Sequence, residues 1–132
     1  MKGFITNIEK DTLDNEFFRK VIFTASRSQV VLMSLKPGEE IGSEVHENID
    51  QFFRFEKGEG KAVIEGEEFF IKDGTAVVIP AGTEHNIINI SATEPLKLYT
   101  IYSPPNHQNG IVHATKEEAE KSEEHFDGKT SF

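Results

Sequence analysis

From residue 28 to about residue 103 the chain is a succession of short β-rich runs, each closed by turn-forming residues. This rhythm limits the fold more than any other feature. Val30-Val31-Leu32-Met33-Ser34-Leu35 ends at Lys36-Pro37-Gly38, and Gln51-Phe52-Phe53-Arg54-Phe55 ends at Lys57-Gly58-Glu59-Gly60. Lys61 to Glu65 and Glu68 to Lys72 flank Gly66 as the arms of a hairpin, and Asp73-Gly74 supplies the next turn. Ala76-Val77-Val78-Ile79 runs into Pro80-Ala81-Gly82, where proline fixes φ and glycine closes a tight turn. His85 to Ile90 and Leu96 to Tyr102 complete the series. Many short strands at even spacing predict an all-β barrel or sandwich.

The flanks have a different texture. Before residue 28, Asp14-Asn15-Glu16-Phe17-Phe18 reads as a short helical or irregular stretch and Val21-Ile22-Phe23-Thr24 as a strand. After residue 103 the chain turns polar. Thr115 and Glu118 fit a capping box, which predicts a short, solvated helix from Lys116 to about His125, with Phe126 to Phe132 frayed. At 132 residues the chain has room for one domain, residues 1–132. Its barrel core lies at about 28–103, and a C-terminal loop and short helix fill 104–132.

Composition removes several functional classes. Fourteen basic against 23 acidic residues give a formal charge of -9, which denies nucleic acid or an anionic membrane the positive surface it needs. Cysteine is absent, so disulfides and thiolate metal sites are excluded. Any metal must be held by imidazole, carboxylate, amide or water. The first residues open no apolar segment of signal-peptide length, and the apolar runs are far too short for a membrane span. A cytoplasmic location is expected.

Two segments carry spacings that point to chemistry. Gly38 is followed after five residues by Glu44, after one more by His46, after four by Gln51 and after six by Gly58. Gly74 is followed after five residues by Pro80, then by Gly82, His85 and Asn89 at gaps of one, two and three. This pattern resembles the two-part signature of the cupin superfamily: Gly, five residues, His-x-His, three or four residues, Glu, six residues, Gly; then Gly, five, Pro-x-Gly, two, His, three, Asn. Eight of the ten marked positions match over roughly residues 30 to 103. The two departures, Glu44 for a histidine and Gln51 for a glutamate, both fall on metal-ligand positions.

The resemblance implies a double-stranded β-helix, the jelly-roll cupin barrel, whose mouth holds one divalent metal ion through Glu44, His46, Gln51 and His85. Glu44 and His46, two apart on a strand, point to one face. The set keeps the formal charge of the usual three-histidine, one-glutamate site. Imidazole with oxygen ligands suits Zn, Mn, Fe, Ni or Co. Zn ranks first because phosphomannose isomerases, also cupins, bind zinc through the same residue types in another order. The function implied is a metal-dependent enzyme on a small polar molecule such as a sugar derivative, isomerase- or epimerase-like, with Glu44 as a candidate general base. A metal-dependent dioxygenase and a non-catalytic small-molecule binding cupin remain as alternatives. So does a barrel that keeps its fold without its metal, His46 and His85 then being hydrogen-bonded remnants.

Strand alternation puts Phe53 and Phe55 on the face of Gln51 and Tyr102 with Leu96 and Leu98, so Phe53, Phe55 and Tyr102 are candidate pocket residues that also suit plain core. Asn89 reads as a structural hydrogen-bonder, and Gly58, Gly66, Gly74 and Gly82 as turn residues. His107 and His113 lie in a loop that could cover the barrel mouth; surface positions are expected for both. Small cupins commonly pair through their outer sheet and N-terminal strand. A homodimer is therefore expected, with Val31, Met33, Phe52 and Ile101 as exposed apolar contacts.

Overall fold

The computed structural model describes residues 2–132. The first elements are helix α1 (Ile8–Asp14) and strands β1 (Arg19–Thr24), β2 (Gln29–Leu35), β3 (Asp50–Lys57) and β4 (Glu59–Ile64). They are followed by β5 (Glu67–Lys72), β6 (Ala76–Ile79), β7 (His85–Asn89), β8 (Leu96–Ser103), β9 (Val112–His113) and helix α2 (Lys116–Lys121). One sheet runs β6-β3-β8-β2-β1-β9 and the other β5-β4-β7, with every strand pair antiparallel. This all-β jelly roll with a short C-terminal helix is the expected architecture.

Alternation decides which side chains fill the interior. In β3, Gln51, Phe53 and Phe55 point inward while Phe52, Arg54 and Glu56 stay partly exposed. Facing them are Val31, Met33 and Leu35 of β2, Leu96, Leu98 and Tyr102 of β8, Ile71 of β5, Ile79 of β6 and Ile87 of β7. Each large apolar side chain buried this way contributes roughly 1.5–3 kcal/mol. Val31 and Met33 are fully buried, so the expected exposed pair belongs to the core; β2 lies inside the six-stranded sheet and turns both toward the interior. Phe52 and Ile101 remain half-buried on the outer face.

Turn chemistry follows the residues. Glu65 and Gly66 take φ of 49° and 82°, the paired positive values of a tight hairpin turn between β4 and β5. Gly58 adopts φ of 99°, and a Cβ there would sit 2.4 Å from the Pro95 carbonyl oxygen, so only glycine lets these strands approach. Asn89 is buried and bridges loops: its amide donates to the carbonyls of Leu35, Lys36 and Glu94, and Ser91 N donates to its Oδ1.

The flanks depart from expectation. Helix α1 lies before the predicted stretch, because Asn7 caps it by accepting from Lys10 N. Asn15 then stops it by exchanging hydrogen bonds with the backbone of Phe17. The helix packs on the outer face of the large sheet, where Lys97 Nζ donates to the carbonyls of Leu13 and Asn15 at 2.8 and 3.0 Å. Helix α2 is capped by Thr115 as predicted but ends at Lys121. The tail beyond it is docked rather than frayed: Phe126 N donates to Asn106 O, and Ser131 N donates to Thr24 O. Among the described residues no helix is long and apolar enough to cross a membrane.

Candidate metal centre

The backbone itself sets two of the expected ligands opposite each other. Residues 36–49 run beside β7, and Glu44 N donates to His85 O at 2.9 Å while His85 N donates to Glu44 O at 3.0 Å. This segment is not a regular strand. It is extended chain carrying isolated bridges at Glu40–Ile88 and Glu44–His85, with turns at Pro37-Gly38 and Glu47-Asn48. The pairing still turns Glu44 and His46 to one side, and the His46 carbonyl is pinned by Gly82 N at 2.8 Å. One ligand atom from each of Glu44, His46 and His85 lies within 4.8 Å of the others. These three residues could hold a metal ion.

Hydrogen bonding fixes how each group presents itself. His85 Nδ1 donates to the Thr83 carbonyl at 2.9 Å, and since a carbonyl only accepts, the proton sits on Nδ1. Its Nε2 is then a bare lone pair, buried and without a partner. Gln51 is 2% exposed; its Nε2 donates to Thr100 Oγ1 at 2.9 Å, and its Oε1 is likewise buried and unpartnered. His46 Nε2 donates to Glu44 Oε2 at 3.0 Å, so one candidate ligand atom holds the next. Burial pushes the Glu44 carboxyl up, but the His46 hydrogen bond and the positive charge of His46 and Arg19 outweigh it. The group therefore titrates below its ordinary range and stays ionised at neutral pH.

Those two orphans are the test of fit. Nearly all buried polar atoms in folded proteins are paired, and leaving one unpaired costs about 1–3 kcal/mol. Here the unpaired atoms are an imidazole nitrogen and an amide oxygen, both electron-pair donors with no proton to give. Gln51 pairs in register with Tyr102, whose ring meets the His46 ring edge-on at 5.9 Å, so both orphans border one end of the barrel. A cation suits such donors; a hydrogen-bond acceptor does not. The aromatic neighbours close the floor. Phe53 meets the His85 ring at 6.0 Å, and Phe55 stacks behind Phe53 at 6.3 Å, one layer deeper in the core. Burial raises the Tyr102 hydroxyl far above its ordinary value, so it stays protonated.

Residues 31–102 match the family described as Cupin domain. The chain belongs to the cupin family. It is 46% identical over 129 residues to the uncharacterized protein YrkC of Bacillus subtilis, covering 93% of this chain and 69% of YrkC. The crystal structure of BH2720 from Bacillus halodurans superposes with a TM-score of 0.87 at 42% identity, covering 90% of this chain and 94% of that one. A predicted oxalate decarboxylase from Thermotoga maritima superposes with a TM-score of 0.55 at 25% identity, over 58% of this chain and 65% of its own.

Around this cupin centre the structure adds residues that spacing did not reveal. His107 and His113 are buried, not on the surface, at 6% and 5% exposure. The loop carrying His107 is stapled to β2 by Gln29, whose Oε1 accepts from Asn106 N and His107 N and whose Nε2 donates to His107 O at 2.7 Å. His107 Nδ1 donates to Glu124 Oε2 at 3.0 Å, and its Nε2 accepts from the Tyr102 hydroxyl at 3.2 Å. The tail therefore reaches the ring that edges onto His46. Arg19, at the start of β1, is buried beside His113, with which it pairs in register across β9. Its inward direction was legible in principle, since Arg19 shares the phase of Val21 in a strand longer than expected.

Proposed function

We propose that this cupin holds one divalent cation between Glu44, His46, Gln51 and His85 and uses it on a small polar molecule, in an isomerase- or epimerase-like proton transfer. The observation that carries the proposal is the pair of buried, proton-free donors, His85 Nε2 and Gln51 Oε1, beside the Glu44–His46 pair. Zinc ranks first among the candidate ions, ahead of Mn, Fe, Ni and Co. A bound divalent ion supplies Lewis acidity, polarising a carbonyl or hydroxyl oxygen.

The chain's own residues do the rest. The Thr83 carbonyl holds the His85 ring in the tautomer that leaves Nε2 free, and Thr100 fixes the Gln51 amide so that its oxygen is the free end. Glu44 lines a cavity of about 260 Å³ between the barrel mouth and the tail, which gives its ionised carboxylate access to a proton on a molecule held there. The predicted oxalate decarboxylase among the solved relatives supports a small polar substrate. A homodimer is part of the proposal, with Phe52 and Ile101 on the outer sheet as apolar contacts.

The test begins with chelator-stripped protein, whose fold is followed by circular dichroism while zinc is titrated in by calorimetry. Small hydroxy-carbonyl compounds are then incubated in D₂O and watched by NMR for exchange of the proton next to the carbonyl. Exchange that needs the metal and ceases on chelation, with the fold retained, supports the enzyme. One metal per chain with no exchange makes this a binding module, in which the ion holds a ligand or stabilises the barrel.

A further inference from the structure

Arg19 is a buried cation with no carboxylate in direct contact, Glu44 and Glu124 acting on it only through space. The residue is 8% exposed, and among the described residues no carboxylate oxygen lies within ion-pair distance of its guanidinium. Its Nε has no hydrogen-bond partner at all. Its Nη1 donates only to His113 Nδ1, at a long 3.4 Å, and its guanidinium carbon sits 5.3 Å from the Phe18 ring centre. An imidazole that accepts from arginine is neutral and an aromatic ring is only weakly attractive, so neither neutralises the charge. Burying a guanidinium with no contacting anion is costly, and an anionic ligand bound there would relieve that cost.

The arginine borders a space. It lines the same cavity of about 260 Å³ as Glu44 and His107, with Glu120 and Glu124 on the tail side. This volume lies at or below the lower end of small-molecule sites, so it suits a compound of a few carbons. One wall reaches the candidate metal ligands through Glu44 and another offers the five-donor fork of Arg19, the geometry that receives an oxyanion in two parallel hydrogen bonds. The acidic rim narrows the choice. Lys116 also lines the cavity and, 3.7 Å from Glu120, offsets that carboxylate, but Glu44 and Glu124 still repel a doubly charged phosphate more strongly than a singly charged carboxylate.

We propose that Arg19 is the anion-recognition residue of this cavity, receiving the carboxylate of a small hydroxy or oxo acid while the rest of the molecule faces Glu44. Only the placement of the rest of the molecule against Glu44 rests on the proposed metal centre. The Arg19 contact stands on the unpaired guanidinium and the cavity it lines.

Glycolate is the probe, with its neutral amide, glycolamide, and inorganic phosphate as comparisons, each titrated into metal-free and zinc-loaded protein. The readout is the NMR resonance of the Arg19 Nε–H, assigned from its absence in Arg19→Gln. Glycolate shifts this resonance in the folded parent protein. Its affinity falls about tenfold or more in Arg19→Gln, the loss expected for a charge-assisted pair, and glycolamide binds correspondingly weakly. Zinc affinity, measured separately, is unchanged by the substitution. If zinc does not bind but glycolate still moves the arginine signal, the metal reading fails and the subsite survives. Glycolate binding that leaves the Arg19 Nε–H unmoved overturns the proposal, as does phosphate binding there in preference to glycolate. If Arg19→Gln does not fold, Arg19→Lys, which keeps the charge and lacks the Nε–H, supplies the assignment.

Discussion

Replacing Gln51 with leucine separates a ligand from a structural glutamine. In the metal-free protein the substitution removes the buried, unpartnered Oε1, returning about 1–3 kcal/mol, and leaves the buried Thr100 hydroxyl without its Nε2 partner, costing about 1–3 kcal/mol. The two cancel, and the metal-free variant stays within about 1 kcal/mol of its parent, near 4 °C in Tm for a chain of this size. Metal separates the two proteins. At about 100 times its Kd a bound ion stabilises the parent by about 2.7 kcal/mol, close to 10 °C. Loss of one ligand weakens binding by about tenfold or more, so the same metal concentration gives the variant about 1.4 kcal/mol or less. Differential scanning calorimetry on both proteins, stripped and zinc-loaded, reads all four values. A variant that is less stable than the parent without metal, yet gains as much from zinc, would refute the reasoning and make Gln51 a structural residue.

The remaining predictions concern the tail and its charges. Burial lowers the His107 titration, with Arg19 adding to it and Glu124 opposing, while Glu124 is lowered because its hydrogen bond and charge pairing with His107 outweigh burial. Both groups take up protons more readily in the unfolded chain. Stability therefore falls as pH drops below the ordinary histidine value of 6.5 and continues to fall through the ordinary carboxylate value of 4.5. Tm measured against pH shows this slope, and His107→Gln flattens its upper part; a Tm that rises between neutrality and pH about 6 contradicts it. Gln29→Ala removes the staple to Asn106 and His107 and costs about 2–4 kcal/mol. Hydrogen exchange in this variant accelerates around residues 106–107 and 124–126 while β3 and β8 keep their protection; uniform acceleration would show that the tail is not a separate unit.

Much of the barrel was legible because its information is local. Strands β2 to β8 are short alternating runs, and each is bounded by residues such as Gly58, Gly66 and Gly74 that take positive φ at its ends. The grouping of Glu44, His46 and His85 was legible for a related reason: the spacings from Gly38 to Gly58 and from Gly74 to Asn89 bring the Glu44 segment and β7 together across one bridge. Alternation divides a strand into two faces without saying which is buried, which is how Val31 and Met33 were assigned outward with Phe52 and Ile101. Arg19 was missed because the expected strand began at Val21, two residues short of it, and its neighbour His113 lies 94 residues away in sequence. The buried setting of His107 depends on Gln29 and Glu124, contacts that no local pattern reports. Helix α1 did carry a local signal in its Asn7 cap, and β9, only two residues long, carried none.

The central claim, a divalent ion held by Glu44, His46, Gln51 and His85, is tested most directly by elemental analysis of protein purified without added metal or a polyhistidine tag. Glu44→Ala and His85→Ala variants are analysed beside it. Close to one metal per chain is expected in the parent, and its loss in both variants, with the barrel still folded. A folded parent that carries no metal and takes up none on titration would contradict it and leave a cupin barrel whose ligand positions serve only hydrogen bonding.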